Sequence, residues 1–214
     1  MPQEPRRTSQ QAPGLRERKK QQTFDTISET AVALFLERGF DQVPVAEVAS
    51  AAGVSKPTLF RYFPAKEDLV LHRFADHEDE AARVVAARAA GESPLDALRR
   101  DFLAGLERRD PVTGLCDHPS VLAFQRLAYG TPSVVARMLG FLTRSEEALA
   151  KALGEGTGAR LAAGQIIAVR RILADGNRHR IAAGETADEV LADAREAAEL
   201  GFRQLAAGLG SLDA

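Results

Sequence analysis

The sequence predicts an all-α chain. Three observations predict it. Apolar residues recur at steps of three and four along most of the length, no useful stretch alternates apolar with polar, and Gly or Pro punctuates the helical runs. About nine helices are expected: an N-terminal three-helix helix-turn-helix group over 16–65, then a larger helical domain over 66–214.

Residues 1–15 are rich in Pro, Gln and Arg, lack periodicity and read as a flexible arm. The first helix is expected from about Arg16 to Arg38, with Phe24, Ile27, Ala31, Leu34 and Phe35 on one face and Gly39 as its C-terminal cap. A short second helix spans Val45 to Ala52, with Pro44 at its start and Val45, Val48 and Ala49 turned inward. Gly53 breaks it, and Ser55 caps a third helix that Pro64 ends near Tyr62 or Phe63. One helix is then expected from Lys66 to Ala90, and another from Pro94 to Arg108. After the loop Gly-Leu-Cys-Asp-His-Pro-Ser come helices at about Ser120–Tyr129 and Ser133–Leu153. A long helix over about Ala159–Ala183 carries Gly176, where it could kink or split, since glycine costs a helix interior about 1 kcal/mol against alanine. Thr186 and Glu189 form a capping box that opens the last helix, to about Ala207.

Composition excludes several classes. No run of about 18 apolar residues exists, so no membrane span is expected. The polar N-terminus has no apolar leader, and the single Cys116 cannot pair within the chain, so a reducing, cytoplasmic setting is expected. There is no Gly-rich phosphate loop and no Gly-x-Ser-x-Gly, so no catalytic residue and no cofactor is expected. Cys116-Asp117-His118 holds three adjacent residues, which cannot alone adopt triad geometry, and His72, His77, His118 and His179 lack zinc spacing; no metal is expected. Net charge is −2, but it is unevenly spread: residues 1–20 carry +4, residues 55–66 carry +3, and residues 71–214 carry −3. Two local basic patches suffice for phosphate contact.

The informative stretch is Gly39 to Lys66. Two short helices joined by a turn of about three residues at Gly53 make a helix-turn-helix, in which the first helix braces and the second enters the major groove. Ala49, Ala51 and Ala52 are small enough for the helices to touch, and Val54, Leu59, Phe60 and Phe63 read as apolar anchors. With Gly39, Phe40, Val45, Val48, Ala49, Ala52, Gly53, Val54, Ser55, Thr58, Leu59, Phe60, Tyr62, Phe63, Lys66, Asp68 and Leu69 in register, the chain resembles the tetracycline-repressor family over about residues 16–70. Beyond that the resemblance is one of architecture.

The resemblance implies a sequence-specific regulator bound to double-stranded operator DNA, a repressor released by a small-molecule effector. A transcriptional activator or ligand-independent regulator is the alternative, and a helical enzyme or ligand-storage protein a third reading. By position, Ser55 would cap the recognition helix, Lys56, Pro57, Thr58 and Arg61 would face bases, and Tyr62 and Lys66 would hold phosphates. Arg61 is the first choice for a guanine, because arginine binds that base through two bonds. Arg16, Arg18, Lys19 and Lys20 would add backbone contacts. One departure stands out: the family's Ser or Thr before the second helix is replaced here by Val43 and Pro44, which puts one phosphate contact in doubt.

The resemblance also implies a homodimer and a ligand pocket. Dimerisation is expected through Ile166, Ile167, Val169, Ile172 and Leu173 on the long helix and Leu191, Ala198, Phe202 and Leu205 on the last, with Gly201 admitting a close neighbour. Phe102, Leu106, Phe124, Leu127, Met138 and Phe141 are the pocket candidates. Effector binding would tilt the DNA-reading heads through the helix near Leu69 to His72.

Overall fold

The computed structural model describes residues 15–209, so the arm expected over 1–15 lies, apart from Leu15, outside the described residues. Among the described residues there are ten α-helices, one 3-10 turn and no strand. They form two compact units, one ending at Leu69 and the other beginning at Val70.

The first unit holds α1 (Leu15–Arg38), α2 (Val45–Ala51) and α3 (Lys56–Tyr62). The step-of-three-and-four face of α1 is buried at Ile27, Ala31 and Phe35, as periodicity requires. Gly39 ends α1 at φ +90°, a conformation that only glycine adopts without cost, and its N–H donates to Phe35 O at 2.9 Å. α2 packs against α1 and against α3. Val32, Phe40, Val43, Val48, Ala49, Leu59, Phe63 and Leu69 are buried with them. The Ser28 hydroxyl, itself buried, donates to Leu69 O at 2.8 Å and fastens the end of this unit to α1.

The second unit contains α5 (Glu80–Ala86), α6 (Pro94–Glu107), a 3-10 turn (Pro111–Thr113), α7 (Pro119–Gly130), α8 (Pro132–Leu153), α9 (Gly156–Ala182) and α10 (Ala187–Leu209). Between the units α4 (Asp68–Ala75) runs through the Leu69–Val70 boundary. The single helix expected over 66–90 is therefore two. The break falls at Asp76-His77-Glu78-Asp79, just before Glu80, where a continuous helix would stack like charges three and four residues apart. There the backbone turns through bonds of three-residue span, His77 N–H to Phe74 O at 2.9 Å and Glu78 N–H to Ala75 O at 3.2 Å. The Arg83 guanidinium takes the Asp76 carbonyl at 2.6 Å. α9, by contrast, runs unbroken through Gly176.

α8 packs on α5, α7 and α9, while α10 packs on α6 and α9. Their shared core includes Leu98, Phe102 and Leu106 of α6, Leu149 of α8, Ile166 of α9 and Val190, Ala198 and Phe202 of α10. Phe102 and Phe202 meet at 6.1 Å between ring centroids. The Thr186–Glu189 capping box forms, with the Glu189 carboxylate accepting from Thr186 N–H at 2.8 Å and the Thr186 hydroxyl accepting from Glu189 N–H at 3.3 Å. The Cys116-Asp117-His118 segment does capping work. The Asp117 carboxylate accepts from Ala187 N–H at 2.9 Å at the start of α10, and His118 Nδ1 accepts from Ser120 N–H at 3.3 Å at the start of α7. Among the described residues, no helix is long and apolar enough to cross a membrane. Nor, among them, do three or more His, Cys, Asp or Glu side chains gather as metal ligands.

Candidate nucleic-acid interface and cavity

α3 begins where Gly53, at φ +67°, turns the chain out of α2. Ser55 is in extended backbone and caps α3: its hydroxyl oxygen accepts from Thr58 N–H at 3.2 Å and lies 2.8 Å from the Thr58 hydroxyl. At 100° per residue, Leu59 and Phe63 fall on one side and are buried, while Lys56, Pro57, Phe60 and Arg61 fall together on the other and are exposed. Thr58 and Tyr62 flank that face, half-buried. The Tyr62 ring stands edge-on to Phe24 of α1 at 4.7 Å, and the Arg61 guanidinium lies 5.4 Å from the Tyr62 ring centre. Six of the seven residues expected to meet DNA thus form or flank one outward face.

Two expectations change. Phe60 is an exposed aromatic at 38% rather than a core anchor, with the Lys56 ammonium 5.9 Å from its ring centre. Four residues after Lys56, it shares the solvent side of α3, which a sequence motif that only scores "aromatic" does not reveal. Lys66 does not present its charge outward. Its ammonium donates to Phe40 O and sits 4.4 Å from the Phe40 ring centre and 5.3 Å from that of Phe35. Burial pulls this lysine below its ordinary range, with Asp41 and Glu67 acting the other way. It clamps the α1–α2 turn. At α2, Pro44 is the cap residue and makes no side-chain cap bond, as its lack of a hydroxyl dictates. The ion pair of Arg38 with Glu47 braces the same helix from α1.

The second unit holds a cavity of about 940 Å³ that opens to solvent past Val135 and Leu139. Of the pocket candidates, Phe102, Phe124, Met138 and Phe141 line it. Leu106 and Leu127 do not; both are buried, Leu106 in the α6–α10 core. Periodicity finds both sets because wall and core share one apolar helical face. Phe74 joins the wall from α4, with ring centroids 5.6 Å from Phe124, 6.4 Å from Tyr129 and 6.1 Å from Phe141. The charged lining went unread in the sequence: Arg170 and Arg178 look like ordinary α9 surface until α8 is placed over them.

The dimerisation residues divide sharply. Ile166, Ala198, Phe202 and Leu205 are buried inside the second unit, and Ile167, Val169, Leu173 and Leu191 pack against that same core. Gly201 admits a close neighbour within the chain: a Cβ there would meet Val169 Cγ1 at 3.0 Å. Only Ile172 of the nine stands exposed, at 59%, and it shares its helix face with Leu161 at 60%. Leu200 of α10 is exposed at 49%. An apolar stripe in a sequence cannot say whether its partner belongs to the same chain or to another.

Residues 27–72 match the family model described as bacterial regulatory proteins, tetR family. That span contains all of α2 and α3 with their turn and caps. Over that span the chain is similar to the TetR family.

The chain is 35% identical over 142 residues to the HTH-type transcriptional regulator TcmR of Streptomyces glaucescens, a match covering 66% of this chain and 62% of TcmR's length. Among solved structures, a TetR-family regulator from Streptomyces coelicolor A3 matches with TM-score 0.52 and 23% identity, covering 90% of this chain and 98% of that one. NalD of Pseudomonas aeruginosa, titled the secondary repressor of the MexAB-OprM multidrug efflux pump, matches with TM-score 0.55 and 17% identity, covering 86% and 96%. At such identities the structural likeness speaks for the shared TetR fold.

Proposed function

We propose that this chain is a dimeric TetR-family transcriptional repressor that binds operator DNA through α3 and leaves it when a small molecule fills the cavity of the second unit. The observation that carries the reading is the solvent face of α3: Lys56, Pro57 and Arg61 stand out from a helix that Ser55 caps and that Leu59 and Phe63 hold down. Ser55, Thr58 and Tyr62 border that face and supply hydroxyls for phosphate. Arg61 is the base reader, because a guanidinium can bind guanine O6 and N7 together. Lys66 is left out of the DNA set, since Phe40 holds its ammonium.

The remaining roles follow from exposure and chemistry. Leu161 and Ile172 of α9 with Leu200 of α10 are the apolar surface offered to a second copy. Two-fold pairing would set the two recognition helices about 34–36 Å apart, one turn of DNA. Release by a small molecule needs an effector site, and the cavity provides the volume of one. α4 carries Arg73 and Phe74 in the cavity wall and is continuous with Leu69, so a ligand that favours one position of α4 shifts the balance between DNA-competent and released forms. TcmR and NalD bear names of transcriptional regulators, which agrees with this reading.

Gel-shift titration against the DNA upstream of the protein's own gene tests it. Specific, salt-dependent binding is expected. Weak, salt-insensitive binding that ignores sequence would return the chain to the enzyme or storage class. Reporter expression in a deletion strain separates repressor from activator: target expression should rise, and a fall would sink the repressor reading.

A further inference from the structure

We propose that the cavity of the second unit is built for an aromatic ligand bearing an anionic oxygen, a carboxylate or phenolate, that Arg170 and Arg178 receive. The proposal rests on the effector reading above and names the chemistry of that effector.

Four buried side-chain polar atoms of the described residues lack a hydrogen-bond partner: Arg109 Nη1, Ser145 Oγ, Arg170 Nη1 and Arg178 Nε. Three of the four belong to residues that line this one cavity. A buried polar group without a partner is costly, and more so when charged, so three in the lining of one cavity point to a missing acceptor. Guanidinium nitrogens only donate, which makes the missing group an acceptor and, opposite two cations, an anionic one.

Three of the four acids in the lining are already engaged. Asp175 takes Arg178 Nη2 at 2.7 Å, Glu78 takes Arg144 Nε at 2.8 Å, and Glu80 faces His77 Nδ1 at 3.2 Å. Arg170 reaches Asp101 only at 3.4 Å, and burial pushes the Asp101 carboxyl up despite that arginine, so its match is poor. Both arginine side chains are mostly withdrawn from solvent, 12% and 16% exposed. The Arg178 guanidinium lies 4.0 Å from the Tyr129 ring centre, which fixes its plane. The aromatic half of the ligand follows from the wall of Phe74, Phe124, Tyr129 and Phe141, whose rings favour stacked or edge-on partners. Exposed Val135 and Leu139 extend the apolar lining to solvent.

The test uses three matched probes on the full chain by fluorescence titration: anthracene-2-carboxylate, its neutral carboxamide and the cationic 2-anthracenylmethylammonium. The carboxylate is expected to bind saturably and at least tenfold tighter than the carboxamide, with the ammonium weakest. Arg178→Gln should bring the carboxylate to within about twofold of the carboxamide, while Arg178→Lys keeps part of the preference. Equal or tighter binding of the carboxamide, preference for the ammonium, or absence of saturable binding by any probe overturns the proposal. The order of the probes on the unaltered chain decides the matter even where a variant does not fold. Gel shifts on the same preparation keep the two readings apart. Specific DNA binding without carboxylate preference removes this inference alone, and carboxylate preference without DNA binding removes the regulator reading alone.

Discussion

Lys56 and Arg61 on α3 and Arg170 and Arg178 on α9 are all basic, yet the fold uses them in opposite ways. The α3 pair stands in solvent on a seven-residue helix, held only through the backbone beneath it by Leu59 and Phe63. The α9 pair lies mostly buried in a cavity wall, each group partly paired and partly orphaned. Exposed charge acts across a hydrated, screened gap and suits a polyanion whose counterions it releases. Buried charge acts at contact, where desolvation makes a wrong partner expensive and so confers selectivity.

Removing what holds each pair in place should break the contrast most severely. Gly114, at φ +74°, lies so near α9 that a Cβ would come within 2.0 Å of Ala174 O, and backbone cannot yield to it. Asn177 ties the same loop down by donating to Thr113 O at 2.9 Å. Gly114→Ala is expected to destabilise the second unit by about 4 kcal/mol or more, read from the urea unfolding midpoint; a near-normal midpoint would contradict the packing described. Leu59→Ala should cost the first unit about 2–5 kcal/mol and abolish DNA binding, measured by the same unfolding curves and by gel shift.

Smaller effects sharpen the contrast. Arg61→Ala should lose about 1–3 kcal/mol of discrimination at one base pair per half-site, so binding to a panel of single-base operator variants should flatten there and nowhere else. Lys56→Ala should weaken binding and lower its salt slope by about one. Lys66→Met should lower thermal stability and leave that slope unchanged, because its ammonium is turned onto Phe40; a reduced slope would restore it to the DNA contacts.

The weakest effect concerns His77 and Glu80, both in the cavity wall. The hydrogen bond with Glu80 holds His77 above its ordinary 6.5, and the same bond holds Glu80 below its ordinary 4.5. The histidine's contribution is complete below 6.5 and fades as pH rises through its raised value; the glutamate's is complete above 4.5 and fades as pH falls through its lowered value. Stability from the pair is therefore greatest between those limits. Being half-exposed, the pair is worth less than about 1 kcal/mol. Glu80→Gln should flatten the melting temperature profile above pH 6.5, and an unchanged profile would show that the pair carries no folding energy.

Local signals made much of this molecule legible. The Ser55 cap, Gly39, Gly53 and the Thr186–Glu189 box are chain-neighbour interactions, and each appears where the residues imply it. The Val43–Pro44 departure likewise leaves α2 without a side-chain cap. The expected helix over 66–90 failed because apolar periodicity continues across 76–80 while acidic crowding breaks the backbone. For the cavity, Phe102, Phe124, Met138 and Phe141 were visible as apolar residues on middle helices, but Arg170 and Arg178 were not.

What the sequence by itself determined is whatever acts within a few residues: the helices, their caps, the turn at Gly53 and the outward row of Lys56, Pro57 and Arg61. Tertiary structure alone decided which apolar faces turn inward, so that Phe202 and Ala198 became core while Leu161, Ile172 and Leu200 stayed on the surface. It also decided that Lys66 points at Phe40 and that Arg170 and Arg178 share a cavity with Phe74. The reason is range: capping and helical period are fixed by neighbours along the chain, whereas burial and the pairing of charges depend on elements up to about a hundred residues away, as Arg99 and Glu199 show.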